Sequence, residues 1–371
     1  MNPNLDAGEL SAQPVETQQQ RGYYHTLREI LQQPDTWLDT CERMLAAAPA
    51  IERLAEGVAS IVLTGSGSSL YAGECVAPTL RQDLGIAVEA VAAGTLLTDG
   101  VAAMPLARPG LLVSIARSGN SPESVAAASA ALAADPQMRH LVITCNAGGR
   151  LATEYARDAI VLDDRTNDRS LAMTSSLTNM SLAALYLGMR RTPERYRDLC
   201  AKLSRACRAL VMRVPAHGGF GRAVFLASAA GIGAARESAL KMLEMTDGRV
   251  PTLAETYLGV RHGPMSFIHK DTLIVCYLST DPLLRAYEAD LIAELDRKHL
   301  GQAKILFGES IPPGLLRDGD AAIECPDHAV LHVVAGQLLA LYRCLAEGLH
   351  PDSPCASGAI NRVVESFPIH S

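Results

Sequence analysis

The stretch SIVLTGSGSSLYAGE, from Ser60 to Glu74, runs from a β-branched apolar segment into a glycine- and serine-rich turn and then into a helical segment. Strand, tight turn and helix make the first half of a βαβ unit. Outward from it, the short runs AVEAV, LLVSIA, HLVITC and DAIVLDD recur, separated by alanine-rich segments such as SPESVAAASAALAA. The alternation predicts an α/β fold whose parallel sheet is covered by helices on both faces. A second series begins near Arg222 with RAVFLASA, TLIVCYLS, AKILFGES and AAIECPD. IVLTGSGSSLYAGE (Ile61–Glu74) aligns with VFLASAAGIGAARE (Val224–Glu237), which sets Glu74 opposite Glu237. The chain therefore reads as a duplicated domain joined in the helical region 199–214.

On this reading residues 1–20 are a disordered tail and 21–56 hold N-terminal helices, with Pro34 opening one of them. The first α/β domain covers 57–205 and the second 206–371. A length of 371 residues fits two domains, and 48% hydrophobic against 20% charged residues leaves enough apolar surface for both cores. A net charge of −7, 4% aromatics and no basic run argue against nucleic acid or an anionic membrane as partner. Nine cysteines without a C-x-x-C pair, several in apolar runs, read as buried reduced thiols in a cytoplasmic protein. The polar N-terminus lacks the apolar core of a signal peptide, and no apolar stretch reaches the roughly 18 residues of a membrane span.

The turn Gly65-Ser66-Gly67-Ser68-Ser69 has the glycines of an anion-binding loop and hydroxyl donors that wrap a compact tetrahedral anion. Leu70 stands where a dinucleotide fingerprint needs a third small residue, although Glu89 lies at a distance suited to a ribose contact. A Walker loop is excluded because no G-K-[ST] occurs. A plain strand–helix turn is the remaining alternative for this loop alone. A second loop, Arg117-Ser118-Gly119-Asn120-Ser121-Pro122-Glu123, follows LLVSIA and repeats the pattern. In a doubly wound sheet such loops converge at the carboxyl edge, so two serine-rich loops and an arginine make a phosphate-monoester site.

The second copy lacks those serines and has Glu237, Lys241 and Glu244 in ARESALKMLEM instead. Offsets of four and three place all three on one helix face, either as a solvated ion-pair ladder or as a reactive group. Arg261-His262-Gly263-Pro264 holds an imidazole at a turn. No histidine pair has ligand spacing, so neither a metal nor a cofactor is called for.

TGSGSS, RSGNSPES, RESALKMLE, RHGP and the C-terminal NRVV together resemble the sugar isomerase (SIS) superfamily. More narrowly they resemble its tagatose-6-phosphate ketose/aldose isomerase or galactosamine-6-phosphate deaminase/isomerase branch. The resemblance implies two tandem SIS domains, each a parallel five-stranded sheet flanked by helices in a flavodoxin-like sandwich. It implies a homodimer or dimer of dimers with a site shared across subunits, acting on a phosphorylated amino sugar or ketose. Ser69, Arg117, Ser118 and Ser121, with Ser68 beside them, fall on the phosphate-gripping positions, and Arg117 replaces a common glutamine. Glu244 falls on a proton-shuttling carboxylate, and Lys241 on a cationic position beside the reacting centre. Glu237 orients Lys241, and His262 opens the sugar ring in the neighbouring subunit. Glu255 contacts the sugar or orients the histidine loop, and Thr174 and Ser175 in NDRSLAMTSS touch sugar or phosphate or merely cap a helix.

Glu365 stands where a related synthase has an imine-forming lysine, so an enzyme imine is not expected. The implied reaction moves a proton from C2 to C1 of galactosamine 6-phosphate and releases ammonia, yielding tagatose 6-phosphate. The alternatives are a glucosamine-6-phosphate deaminase, a simple aldose–ketose isomerase, and a phosphosugar-sensing regulator. The last fits poorly with only about 55 residues before the first strand and no basic helix-turn-helix.

Overall fold

The computed structural model describes residues 5–217 and 219–370. Five helices open the chain: α1 (Ala7–Ser11), α2 (Val15–Gln20), α3 (Tyr24–Leu31), α4 (Gln33–Ala46) and α5 (Ala48–Ala55). There follow β1 (Ser60–Gly65), α6 (Ser68–Glu74), α7 (Ala77–Leu84), β2 (Ala87–Ala92), α8 (Ala93–Asp99) and β3 (Gly110–Ala116). The first series is completed by α9 (Pro122–Ala134), β4 (Arg139–Thr144), α10 (Arg150–Glu154), β5 (Ala159–Val161), α11 (Ser175–Met189) and α12 (Pro193–Val211). The second comprises β6 (Arg222–Ala227), α13 (Ile232–Met245), β7 (Thr252–Thr256), β8 (Thr272–Tyr277), α14 (Pro282–Arg297), β9 (Ala303–Gly308), β10 (Ala321–Glu324) and α15 (Ala329–Ala346).

Both five-stranded sheets are wholly parallel. Their orders, β2-β1-β3-β4-β5 and β7-β6-β8-β9-β10, are the same doubly wound order written twice. The duplication read from the aligned segments is thus a duplication of topology. The central strands are buried on both faces, which is why SIVLTG, GLLVSIA and TLIVCY are apolar runs rather than alternating ones. Equivalent strands supply equivalent core residues: Val62, Leu112 and Val142 in one cluster, Val224, Ile274 and Leu306 in the other. The sequence reading found four strands of the second sheet and missed β7. Every residue of that edge strand is only half-buried, so it carries no apolar run to recognise.

The chain divides into two compact units. One holds the first sheet and comprises 32–168, 173–204 and 358–371; the other holds the second sheet and comprises 1–31, 169–172 and 205–357. The expected N-terminal helical segment is therefore split, with α3 in the unit of the second sheet and α4 in that of the first. The tail after Ser357, expected with the second domain, belongs with the first sheet.

The expected disordered tail is also corrected. From Ala7 it is helical, with a reciprocal capping box between Asp6 and Glu9, and Ala7 and Leu10 are fully buried. Residues 1–4 of that segment lie outside the described residues. One further expectation fails: α15 is 18 residues long with a mean hydropathy of 1.6, as apolar as a membrane span. It is 78% buried, as a core helix is, and Gly336 lets it approach Ser238 of α13 closely. All nine cysteines are free and buried.

Candidate active site

In the unit of the first sheet, β1 and β3 are neighbours, with β2 on the far side of β1. The strand order reverses between β1 and β3, so the loops leaving their carboxyl ends flank the crevice where doubly wound sheets bind ligands. Those loops are Gly65–Ser69 and Arg117–Ser121.

Gly67, at φ 56° and ψ −127°, makes the reversal that opens α6, a conformation that L side chains rarely adopt. Gly65 is forced by proximity, since a Cβ there would lie 2.9 Å from the Ile115 carbonyl of β3. Ser68 and Ser69 follow in the first turn of α6, both nearly buried.

The second loop is braced from β4. Asn146 Nδ2 donates to the Ser118 carbonyl at 2.9 Å, and the Arg150 N–H donates to Asn120 Oδ1 at 2.9 Å. Ser121 caps α9 through its backbone while its side chain makes no capping bond. Arg117 is buried, and its Nη2 donates to the backbone carbonyl of Arg362. Arg362 in turn donates from Nε to the Asp168 carbonyl and from Nη2 to Asn167 Oδ1, both at 2.7 Å.

Thr174 and Ser175 have no solvent exposure at the start of α11, and their hydroxyls donate to Asp168, at 3.3 and 2.5 Å. The same carboxylate accepts the backbone N–H groups of Thr174, Ser175 and Ser176 and the Ser176 hydroxyl. The cap on α11 is thus made by Asp168, and Thr174 at the N-cap position makes no side-chain capping bond.

In the unit of the second sheet, a short turn after β6 leads into α13. Lys241 and Glu237 are fully buried there, and the Lys241 ammonium sits 3.4 Å from Glu237 Oε1. It also donates to Glu244 Oε2, and the Glu244 side chain remains 23% exposed. The three residues do not form a solvated ladder. Burial alone would pull the Lys241 pKa down, but the charges of Glu237 and Glu244 outweigh it and hold the pKa above its ordinary value. Lys241 is thus a fixed cation at neutral pH, with one carboxylate of the pair reachable from solvent.

His262 ends a turn from Gly259, is exposed, and makes no hydrogen bond among the described residues. The turn is anchored by Arg261, which donates to Glu294 Oε2 at 2.8 Å. Hydrogen bonds from Lys298 and Arg261 hold the Glu294 pKa down to about 2. Glu255 stands at the carboxyl end of β7, and its carboxylate accepts from the N–H of Thr256 at 2.7 Å. A Cβ on Gly259 would meet that carboxylate at 2.5 Å, so Glu255 lies against the turn that carries His262.

The structure brings Glu237, Lys241 and Glu244 into contact, while neither His262 nor Glu255 bonds to them among the described residues. Sequence reasoning missed Arg362, Asn146 and Asp168 as organisers of the first-sheet loops. The adjacent Gly148 and Gly149 are a signal that could have found the β4 loop, since a Cβ on Gly149 would lie 2.3 Å from the Ser118 carbonyl. Among the described residues, no group of three or more His, Cys, Asp or Glu side chains is placed to hold a metal ion.

The chain is similar to several known proteins. The SIS domain model matches residues 56–190. A D-galactosamine-6-phosphate deaminase AgaS from Escherichia coli O157:H7 is 35% identical over 93% of this chain and 95% of its own. A Streptomyces coelicolor relative with the same AgaS designation is 39% identical over 94% of this chain and 95% of its own. The crystal structure of tagatose-6-phosphate ketose/aldose isomerase from Escherichia coli superposes with a TM-score of 0.83 at 32% identity. That match covers 93% of this chain and 96% of the other.

Proposed function

Because the chain belongs to the SIS domain family, and within it to the group of its AgaS relatives, we infer an enzyme that converts galactosamine 6-phosphate to tagatose 6-phosphate and ammonia. The observation that carries this reading is the buried Lys241 cation held between Glu237 and Glu244, with only Glu244 partly open to solvent. Aldose–ketose chemistry needs such a pair: a carboxylate to move a proton and a fixed positive charge to stabilise the anion formed meanwhile.

In the proposed reaction His262 opens the sugar ring. Glu244 takes the proton from C2 of the open-chain amino-aldehyde, leaving an enaminol whose developing negative charge Lys241 stabilises. Glu244 then returns the proton to C1, which gives a C2 ketimine. Water adds to that imine and expels ammonia, leaving the ketose. No imine to the enzyme is required, in keeping with Glu365 in the C-terminal tail.

Ser69, Ser118, Ser121 and Arg117 grip the phosphate, with Ser68 beside them. Their support is the position of both loops at the β1/β3 reversal and the Ser121 side chain left out of the cap. Glu255 positions the His262 turn. A homodimer in the cytoplasm, with His262 entering the site of a second copy, completes the reading, and the exposure of His262 supports it.

An ammonia-release panel tests the substrate assignment. Galactosamine 6-phosphate, glucosamine 6-phosphate and the unphosphorylated amino sugars are compared at equal concentration. Turnover of the galacto epimer above the others is expected. Equal or greater turnover of glucosamine 6-phosphate transfers the assignment to that sugar. A melting shift with a phosphosugar but no turnover of any would replace the enzyme by a sensor.

A further inference from the structure

The tail after Ser357 is a poor candidate for order by burial. Ile360, Val364, Phe367 and Ile369 are all substantially exposed, and a cleft of about 690 Å³ lies between the segment from Val363 to Ile369 and the start of α9. Arg362 ties it to the segment before α11. The Arg362 guanidinium makes two 2.7 Å bonds, one to the Asp168 carbonyl and one to Asn167 Oδ1. Both acceptors belong to a rigid segment, because the Asp168 carboxylate is locked onto the first turn of α11. The backbone carbonyl of Arg362 itself accepts from Arg117 Nη2.

Arg362 therefore works at both ends: its side chain fixes its backbone, and its backbone holds Arg117. A guanidinium is a planar fork of five donors, so tying one of them to a fixed carbonyl sets the plane in which the others point. Without that tie, a long arginine side chain loses rotamer freedom on binding an anion, and affinity falls accordingly.

We propose that Arg362 is a positioning residue for phosphate binding, aiming the Arg117 guanidinium through its own backbone carbonyl. This rests on the reading of Arg117 as part of the phosphate grip.

The test compares Arg362→Ala, Arg362→Lys, Arg117→Ala and the double variant Arg117→Ala/Arg362→Ala. The readouts are kcat and KM for galactosamine 6-phosphate and Ki for inorganic phosphate. In Arg362→Ala, KM and the phosphate Ki rise together by about tenfold, on the order of one lost charge-assisted hydrogen bond, while kcat stays within about twofold. Arg362→Lys, able to make one of the two side-chain bonds, recovers part of the loss. The double variant is no worse than Arg117→Ala, because Arg362 acts only through Arg117.

If Arg117→Ala raises KM and Arg362→Ala does not, Arg362 positions nothing and the proposal is overturned alone. If both variants leave KM and the phosphate Ki unchanged, the phosphate reading of Arg117 falls and takes the proposal with it. Multiplied rather than shared losses in the double variant also overturn it. Amide exchange of residues 359–367, measured without ligand, should rise in both single variants; unchanged exchange in Arg362→Ala contradicts the anchoring itself.

Discussion

Replacing Gly336 by alanine probes the seat of α13 without touching any charged group. The added Cβ would lie 2.1 Å from Ser238 Oγ, 2.5 Å from Ser238 Cβ and 3.0 Å from Ser238 Cα. A rotamer change can move the hydroxyl, but it cannot move the Ser238 Cβ. Contact distances near 3.5 Å therefore require α13 and α15 to part by about 1 Å. Two effects oppose each other. Alanine favours the helix over glycine by about 1 kcal/mol, while overpacking a tight core contact costs about 1–3 kcal/mol. Overpacking wins because both partners are buried backbone-proximal atoms with no slack, giving a net loss of up to about 2 kcal/mol.

The catalytic consequence is larger. Ser238 stands between Glu237 and Lys241 on α13, so a shift there carries the carboxylate–ammonium group with it. A displacement of about 1 Å from productive geometry costs on the order of a hundredfold in rate. Urea unfolding and kcat for ammonia release are measured on Gly336→Ala, Ser238→Gly and the pair. Removing the Ser238 side chain takes away the two closest obstacles, so the double variant should be more stable than the sum of its parts by about 1 kcal/mol or more and should regain rate. A Gly336→Ala protein with full stability and full kcat would show that the two helices are not packed this closely.

Two further perturbations bear on buried charge. Burial pushes the pKa of both His140, bonded to Ser114 at 2.8 Å, and His332, stacked on Tyr277 at 4.6 Å, down to about 4. Between pH 6.5 and 4 the unfolded chain binds protons that these native histidines refuse. Stability is therefore full above pH 6.5 and falls with acidity, by about 3 kcal/mol per histidine at pH 4. Urea midpoints for His332→Gln should lose about one proton's worth of this slope, and an unaltered slope would remove His332 from the account. Lys241→Met leaves Glu237 buried without its cation, so about 3–5 kcal/mol of stability and all turnover should go. Adding Glu237→Gln should restore stability and leave turnover absent; recovery of turnover would show that Lys241 has no chemical role.

The parts of this molecule legible in the sequence are those written as local pattern. Central strands such as LLVSIA and TLIVCY announce themselves because both faces are buried, and the alignment of Ile61–Glu74 with Val224–Glu237 anticipated two sheets of one topology. Glu237, Lys241 and Glu244 were recoverable because helix periodicity alone puts them together. The helix Ala7–Ser11 was missed although Asp6 and Glu9 spell its capping box, because so short a helix also needs Ala7 and Leu10 to be buried against the rest of the fold. The Asp168 partner of Thr174 and Ser175 was hidden for a related reason: a hydroxyl reads the same whatever it faces. Arg362 lies 245 residues from Arg117, and its contribution runs through a backbone carbonyl, which no residue type can signal.

The central claim is that Glu244 moves the proton between C2 and C1 while Lys241 holds the charge. It is tested most directly by ammonia release from galactosamine 6-phosphate in wild type and Glu244→Gln, with binding followed in parallel by the melting shift. Wild type should release one ammonia for each tagatose 6-phosphate formed, and Glu244→Gln should bind the sugar phosphate and release none. A Glu244→Gln protein that still releases ammonia at a rate near that of wild type would contradict the account.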